Sequence, residues 1–469
     1  MECGFRTLPS SNSSSSTNAH VLLLPFPSQG HVAPFMKLSH KLVDLGVKVT
    51  LMITEFIHKR MITELTQPRP GEEVHPIRIV AVPDGLGPEG NRGDVNKLSE
   101  SFFRILPAYM EDLIKKASQS DGDAKVTCVI ADPVMVSALE FADKMRLKKA
   151  TFFTSSPGVL TMILQLPKLI EAGIIDAKGT ATKNEKIQLS PTLPPLSAAE
   201  FIWKCPGYKS MEEIVYQCTL TINQNVKTSN WVLCNWFNEL DPSVECLIPN
   251  ILTVGPLLGN GRPTGNFWPE DLTCLSWLDT QSPNSVIYVS FGSTSIFSQQ
   301  QFQELALGLE LSGRPFLWVV RADATDGVSP KYPENFIEKV SNVGKIIEWA
   351  PQEKVLAHPS LLCYLTHCGW NSTIEGISMG VPMLCWPYLG DQFYNRSCVC
   401  DGWKIGLGLN YDDNGIITRH EIKKKVNELI GSDDIRTNAL KLKEQAQNNL
   451  VEGGSSWKNL EQFVTQIML

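Results

Sequence analysis

A basic excess, membrane-length apolar runs and paired cysteines are all missing from this chain. Its 42 Lys plus Arg stand against 49 Asp plus Glu, a formal charge of −7, so it lacks the basic face of a nucleic-acid binder. A nucleotide ligand stays open, because helix N-termini hold phosphates without many cations. No stretch approaches the ~20 apolar residues of a membrane span. The twelve cysteines stand singly or inside apolar runs, as at Cys128, Cys363 and Cys385, and Cys398 and Cys400 lie too close together for a structural zinc site. They read as reduced thiols in a cytoplasmic protein. The Ser/Asn-rich residues 1–18 have no basic n-region and read as disordered, and Val21 to Phe26 reads as a strand rather than a signal core. The sequons at Asn12, Asn371 and Asn395 are accordingly expected to be fortuitous.

What is present suits a large α/β protein. Hydrophobic residues make up 43% of the 469, enough for a full core, and the length suggests two or three domains. β-branched runs alternate with longer amphipathic stretches, the pattern of parallel sheets covered by helices. Strands are predicted at 20–26, 47–53, 77–82, 126–131 and 149–154, then at 285–291, 316–320, 345–350, 361–367 and 381–387. The Gly- and Pro-rich residues 253–271 between these sets read as a linker. Two facing Rossmann-like domains with a cleft between them follow. The expected divisions are an N-terminal domain at 19–252, a C-terminal domain at 272–450 and a final helix at 451–469.

In open α/β sheets, ligands sit at the carboxyl ends of the strands, so the residues after each run are the ones to inspect. Trp349 offers a flat face for a base. The turn His367-Cys368-Gly369-Trp370 leads into a helix opening at Asn371-Ser372, whose amides suit a diphosphate. Glu375 falls four residues beyond Asn371, on the same helix face, where it can accept from ribose hydroxyls. Asp391 and Gln392 suit sugar hydroxyls. His31 follows the first strand, where a helix start lowers an imidazole pKa and a carboxylate reverses the shift; Asp132, after the fourth strand, is the candidate partner. No D-x-D-type acidic cluster stands in a plausible donor position, and GSDD at 431–434 reads as a solvated helix start.

The segment from Trp349 to Gln392 contains W-A-P-Q, L-x-H, H-C-G-W-N-S, a Glu four residues after the Asn, G-V-P and a closing D-Q. It resembles the donor-binding signature of the plant secondary-product glycosyltransferases, the family 1 enzymes of GT-B architecture that use UDP-sugars. The likeness extends to PFPSQGH (25–31), VPDGL (82–86), FGST (291–294) and GGSS (453–456). Tyr364 stands where Phe is commoner, a change expected to be inconsequential.

The resemblance implies roles. Trp349 stacks the uracil, and Ala350 pairs with it through its backbone. Gln352 and Glu375 hold the ribose; Ser293, His367, Asn371 and Ser372 hold the diphosphate; Trp370, Asp391 and Gln392 hold the sugar. The closing Gln and Trp370 favour glucose. His31 deprotonates the acceptor hydroxyl and Asp132 orients and charges it, with no metal and no cofactor besides the co-substrate UDP-glucose. The acceptor is expected to be a flavonoid, other phenolic or terpenoid bound near Asp84, Met135 and Phe201, and the protein to act as a monomer with no membrane or nucleic-acid partner. Its last helix is expected to cross back to the first domain.

Other readings are weaker. A nucleotide-sugar epimerase or hydrolase would share a uridine pocket but not the pair at His31 and Asp132. A dinucleotide oxidoreductase would need G-x-G-x-x-G after the first strand and an acid after the second, where only Glu55 stands. A silent binding protein would have lost His31 or Asp132. A membrane-anchored glucuronosyltransferase would need a span where EQFVTQIML reads as an amphipathic helix. O- and C-glycosylation both need a base near the acceptor and are not separable by sequence.

Overall fold

The computed structural model describes residues 19–65, 76–87, 89–92, 95–119, 125–189, 191–206, 209–325 and 329–469. The Ser-rich start and Asn12 lie outside the described residues.

Two parallel sheets make up the frame. The first has seven strands, β1 (His20–Leu24), β2 (Lys48–Thr54), β3 (Arg78–Val82), β4 (Val126–Ala131), β5 (Lys148–Phe153), β6 (Trp231–Cys234) and β7 (Ile251–Thr253), in the order β3-β2-β1-β4-β5-β6-β7. The second has six, β8 (Val286–Ser290), β9 (Phe316–Val319), β10 (Gly344–Ile347), β11 (Leu361–Thr366), β12 (Met383–Cys385) and β13 (Gly406–Gly408), in the order β10-β9-β8-β11-β12-β13. Strands covered on both faces by helices read as unbroken apolar runs; β1, β8 and β11 are buried along their whole length.

All ten predicted strands form, with their ends displaced by no more than three residues. β10 stops at Ile347, which leaves Trp349 and Ala350 in the loop beyond it. β6, β7 and β13 were not predicted. They have three or four residues each, too few for a periodicity, and β13 is Gly-Leu-Gly with one side chain to show.

In each sheet the strand order reverses direction beside its first strand, between β1 and β4 and between β8 and β11. Such a reversal opens a crevice at the carboxyl ends of the two strands, because the loops there leave toward opposite faces. The crevices of the two sheets face each other. The chain passes from β7 to β8 and later returns: the helix Ser455–Met468 packs Leu460, Phe463, Val464 and Ile467 into the core beneath the first sheet. Gln466 fixes its end, accepting from the Trp231 indole at 2.6 Å and, through its carbonyl, from Lys148 at 2.7 Å.

Candidate active site

A cavity of about 1150 Å³ lies between the two crevices, large enough for two small ligands by the usual size of ligand pockets. Its first-sheet wall begins at α1 (Gln29–Asp44), which follows β1 with Ser28 in extended conformation before it. His31, in the first turn, bonds through Nδ1 to Asp132 Oδ2 at 2.5 Å. Asp132 is buried, and its other oxygen accepts from the Val134 amide at 3.1 Å, so the turn after β4 aims the carboxylate. Thr154, after β5, adds a hydroxyl 3.1 Å from the same Nδ1, and Phe26 packs its ring edgewise at 5.4 Å. Burial depresses the His31 pKa, but the charge and hydrogen bond of Asp132, helped by Asp391, lift it above the ordinary 6.5. With Nδ1 occupied, Nε2 is the nitrogen left for a substrate.

The second-sheet wall is built around the helix Trp370–Met379. Gly369 precedes it and no side chain caps it, so its first amides have no partner from a cap. Cys368 holds φ at +65, in the left-handed region where a side chain is strained. Its amide donates to Thr366 Oγ1 at 3.1 Å, and its carbonyl accepts from Asn395 at 3.0 Å. His367 is buried beneath this turn, with Nδ1 lacking a partner. Burial and the nearby Arg321 push its pKa down to about 4, so the ring is neutral at physiological pH. Arg321 in turn donates to the carbonyls of Gly292 at 2.6 Å and Ser295 at 2.9 Å, fixing the turn after β8 that carries Ser293. Gly292 sits at φ +67, where a Cβ would come within 2.6 Å of His367 Nε2; only glycine lets this turn rest on the imidazole.

Deeper in the same wall, Gln352 Nε2 donates to Ser372 Oγ at 2.9 Å and to Glu375 Oε2 at 2.8 Å, while its Oε1 accepts the hydroxyls of Tyr288 and Tyr364, both at 3.1 Å. Tyr364 is therefore not an idle replacement for Phe, since its hydroxyl orients Gln352. Trp349 stacks on Trp268 at 4.6 Å, and Arg60 lies 4.7 Å from the centre of the Trp268 ring, so one face of Trp349 is backed before any ligand arrives. At the far end Asp391 accepts from Ser155 at 2.5 Å and from Asn395 at 3.1 Å; burial raises its pKa despite these bonds. Gln392 turns its Oε1 onto the amides of Tyr388 and Leu389. Asn371 crosses the cleft to donate to the Gly30 carbonyl at 2.8 Å.

Several expectations need correction. The Trp370 side chain is buried: its indole donates to the Asn235 carbonyl at 2.9 Å and stacks on Trp236 at 5.4 Å, so only its main chain can meet a ligand. None of the three residues expected near the acceptor lines the cavity. Met135 begins the helix Val136–Lys144 and points into the core, leaving Pro133 and Val134 on the wall. Phe201 packs on Trp203 at 4.7 Å, while its neighbour Ile202 faces the cavity. Asp84 is paired with Arg92 at 2.6 Å and organises its own loop. Sequence reading also missed Thr154, Ser155, Arg321, Trp268 and Lys37. Thr154 and Ser155 lie in the expected place, just after β5, and the others carry no local signal. The GSDD stretch does open a helix, Asp433–Leu450, with Ser432 as its cap. Among the described residues no cluster of three or more His, Cys, Asp or Glu is placed to hold a metal ion, and no helix is long and apolar enough to cross a membrane.

The family model for UDP-glucoronosyl and UDP-glucosyl transferase matches residues 108–452. UDP-glycosyltransferase 83A1 of Arabidopsis thaliana is 39% identical, with 96% of each chain covered. The 7-deoxyloganetin glucosyltransferase of Gardenia jasminoides is 32% identical, covering 96% of this chain and 98% of its own. The solved structure of Phytolacca americana UGT2 with UDP-2fluoro-glucose and pterostilbene superposes with a TM-score of 0.79 at 27% identity, covering 96% of this chain and 99% of the other.

Proposed function

We propose, for a chain that belongs to the UDP-glucoronosyl and UDP-glucosyl transferase family and is a UDP-glycosyltransferase of the plant secondary-metabolite type, that it moves glucose onto a hydroxyl of a small lipophilic acceptor in one inverting step. The observation that carries this reading is the placement of the His31–Asp132 pair, bonded at 2.5 Å, across one cleft from the uncapped helix at Asn371.

In the proposed step, His31 Nε2 takes the proton of the acceptor hydroxyl as its oxygen bonds to the anomeric carbon. The bond from that carbon to the diphosphate breaks, and UDP leaves with the electron pair. Attack opposite the leaving group converts an α-linked donor into a β-glucoside. The transition state has oxocarbenium character, as in glycoside hydrolysis. Asp132 stabilises the imidazolium that forms. The helix amides near Asn371, Ser372 and the neutral His367 ring meet the charge that develops on the diphosphate, which is the larger electrostatic task. Ser293 approaches the same group, and no metal is required. Uracil lies on the open face of Trp349 beside the Ala350 main chain, the ribose hydroxyls meet Glu375 and Gln352, and the sugar meets Asp391, Gln392 and the Trp370 amide. The division into an acceptor side at 19–252 and a donor side at 272–450 goes with this reading.

The acceptor side of the cavity is walled by Val134, Phe153, Ile202 and Ile222, with His31 and Asp132 as its charged or chargeable groups. Such a wall favours an uncharged, lipophilic alcohol or phenol, and the neighbour that holds pterostilbene beside a UDP-sugar supports a small organic acceptor. The test is release of UDP from UDP-glucose with a chelator present, across a panel of flavonoids, simple phenols and terpenoid alcohols. A glycoside is expected from the intact chain and not from His31→Ala; mass fragmentation separates O- from C-linkage. Absence of any UDP binding by calorimetry would sink the reading.

A further inference from the structure

Lys37 is the one residue of α1 that reaches across to the nucleotide side with a charge. Its side chain is only 6% exposed, and its ammonium sits 2.5 Å from Glu375 Oε1 and 2.6 Å from Glu353 Oε1. Glu353, in the short helix Gln352–Leu356, accepts from the Gly259 amide through both carboxylate oxygens at 2.9 Å. One ammonium thus joins the helix that begins beside His31, the segment between the two sheets, and two helices of the second sheet. A buried cation held by one buried and one partly exposed carboxylate is costly to disturb, because removal of the cation leaves the Glu375 charge short of water.

The geometry at Glu375 gives this cluster a second consequence. A carboxylate offers about four lone-pair directions. Lys37 occupies one on Oε1 and Gln352 one on Oε2, which fixes the plane of the group on the wall of the cavity that Glu375 lines. Without Lys37 the carboxylate would be free to rotate toward water or toward Gln352 alone. Preorganised acceptors hold a ligand hydroxyl more tightly than mobile ones because the ordering cost is already met.

We propose that Lys37 is a positioning residue for donor recognition: from the acceptor-side helix it orients Glu375 toward the ribose hydroxyls and ties the His31 helix to the nucleotide pocket. This rests on the reading that Glu375 meets the ribose. Lys37 touches no reacting atom; it acts through Glu375 and Glu353.

A purely structural clamp would stabilise the chain without altering which sugar hydroxyls the nucleotide needs. Calorimetry of the full-length chain with UDP and with 2′-deoxy-UDP separates the two. The intact chain is expected to prefer UDP; if it binds neither nucleotide, the functional reading falls and this inference with it. Lys37→Met is expected to shrink the preference for UDP by about fivefold, the worth of one well-oriented hydrogen bond, while its affinity for 2′-deoxy-UDP changes less. Lys37→Arg, whose guanidinium also donates to two carboxylates, is expected to restore part of the preference. Lys37→Gln, which keeps a hydrogen-bonding group in the slot, carries the same test if the methionine variant does not fold. A folded Lys37 variant that binds more weakly overall but keeps the full preference for UDP overturns the proposal and leaves the functional reading standing.

Discussion

The two crevices are topological twins with opposite linings. Each lies where a parallel sheet reverses its strand order, and each begins with a turn after the first strand of its sheet. The second-sheet crevice is a dense polar lattice in which Gln352, Ser372, Glu375 and the tyrosine pair hold one another in place, while Arg321 fixes the turn after β8. The first-sheet crevice sets a small polar group, His31, Asp132, Thr154 and Ser155, beside an apolar wall of Val134, Phe153, Ile202 and Ile222. A lattice of that kind specifies one ligand, since each buried donor left unpaired costs about 1–3 kcal/mol. An apolar wall selects by shape and tolerates exchange. The same scaffold therefore pairs a fixed co-substrate site with an adaptable one.

That contrast is breakable by substitution. The largest effect is expected from His31→Ala, a fall in kcat of about 10²–10⁴-fold for loss of a general base, with UDP affinity by calorimetry nearly unchanged. Equal losses in both would mean that the two walls are not separable. Asp132→Asn comes next, at about 10²-fold in kcat, and it also moves the pH profile. Only the neutral imidazole accepts a proton, and Asp132 holds the His31 pKa above 6.5, so kcat/KM of the intact enzyme should rise with pH through a value above 6.5. In the Asn variant that limb should shift to lower pH; a stationary limb would remove Asp132 from the pair. The same raised pKa contributes stability that is full below 6.5 and is lost as pH rises through the raised value.

On the second-sheet side the effects should fall on the donor. Gly292→Ala places a methyl 2.6 Å from His367 Nε2 at a φ of +67, and KM for UDP-glucose is expected to rise about tenfold with a smaller change in kcat. A normal KM would show that the turn and imidazole adjust independently. The smallest effect is expected from Tyr364→Phe, which removes one of two hydroxyls on Gln352. A rise of about two- to threefold in KM for UDP-glucose, with acceptor KM unchanged, is the expected result.

Most of the lattice was readable from the sequence because it is local; Tyr288 and Arg321, which stand earlier in the chain, were not. Trp349 to Gln392 is one continuous passage of strand, turn, helix, strand and turn, so the residues that meet in space also meet in the text. The pair proposed as catalytic, 101 residues apart, leaves no local pattern and was read through the family resemblance; the fold brings it together because β1 and β4 are neighbours and both residues stand just past a strand end. The acceptor wall was not readable. The residues expected there, Met135 and Phe201, each sit next to a true wall residue, Val134 and Ile202, because side chains in turns and short helices alternate between core and cavity with no periodicity to fix the phase. Lys37 was hidden for another reason. On an amphipathic helix a lysine reads as solvated, and only the second sheet, hundreds of positions later, supplies the two carboxylates that bury it.

The return of the final helix to the first sheet also sets how many covalent passages join the halves. Because the chain crosses between the sheets twice, after β7 and again before Ser455, two covalent passages join the halves, and side chains of both also share one apolar core in which Trp236 stacks on Trp370. Clipping the chain before Ser455 would leave a single covalent passage and strip the cover from the first sheet.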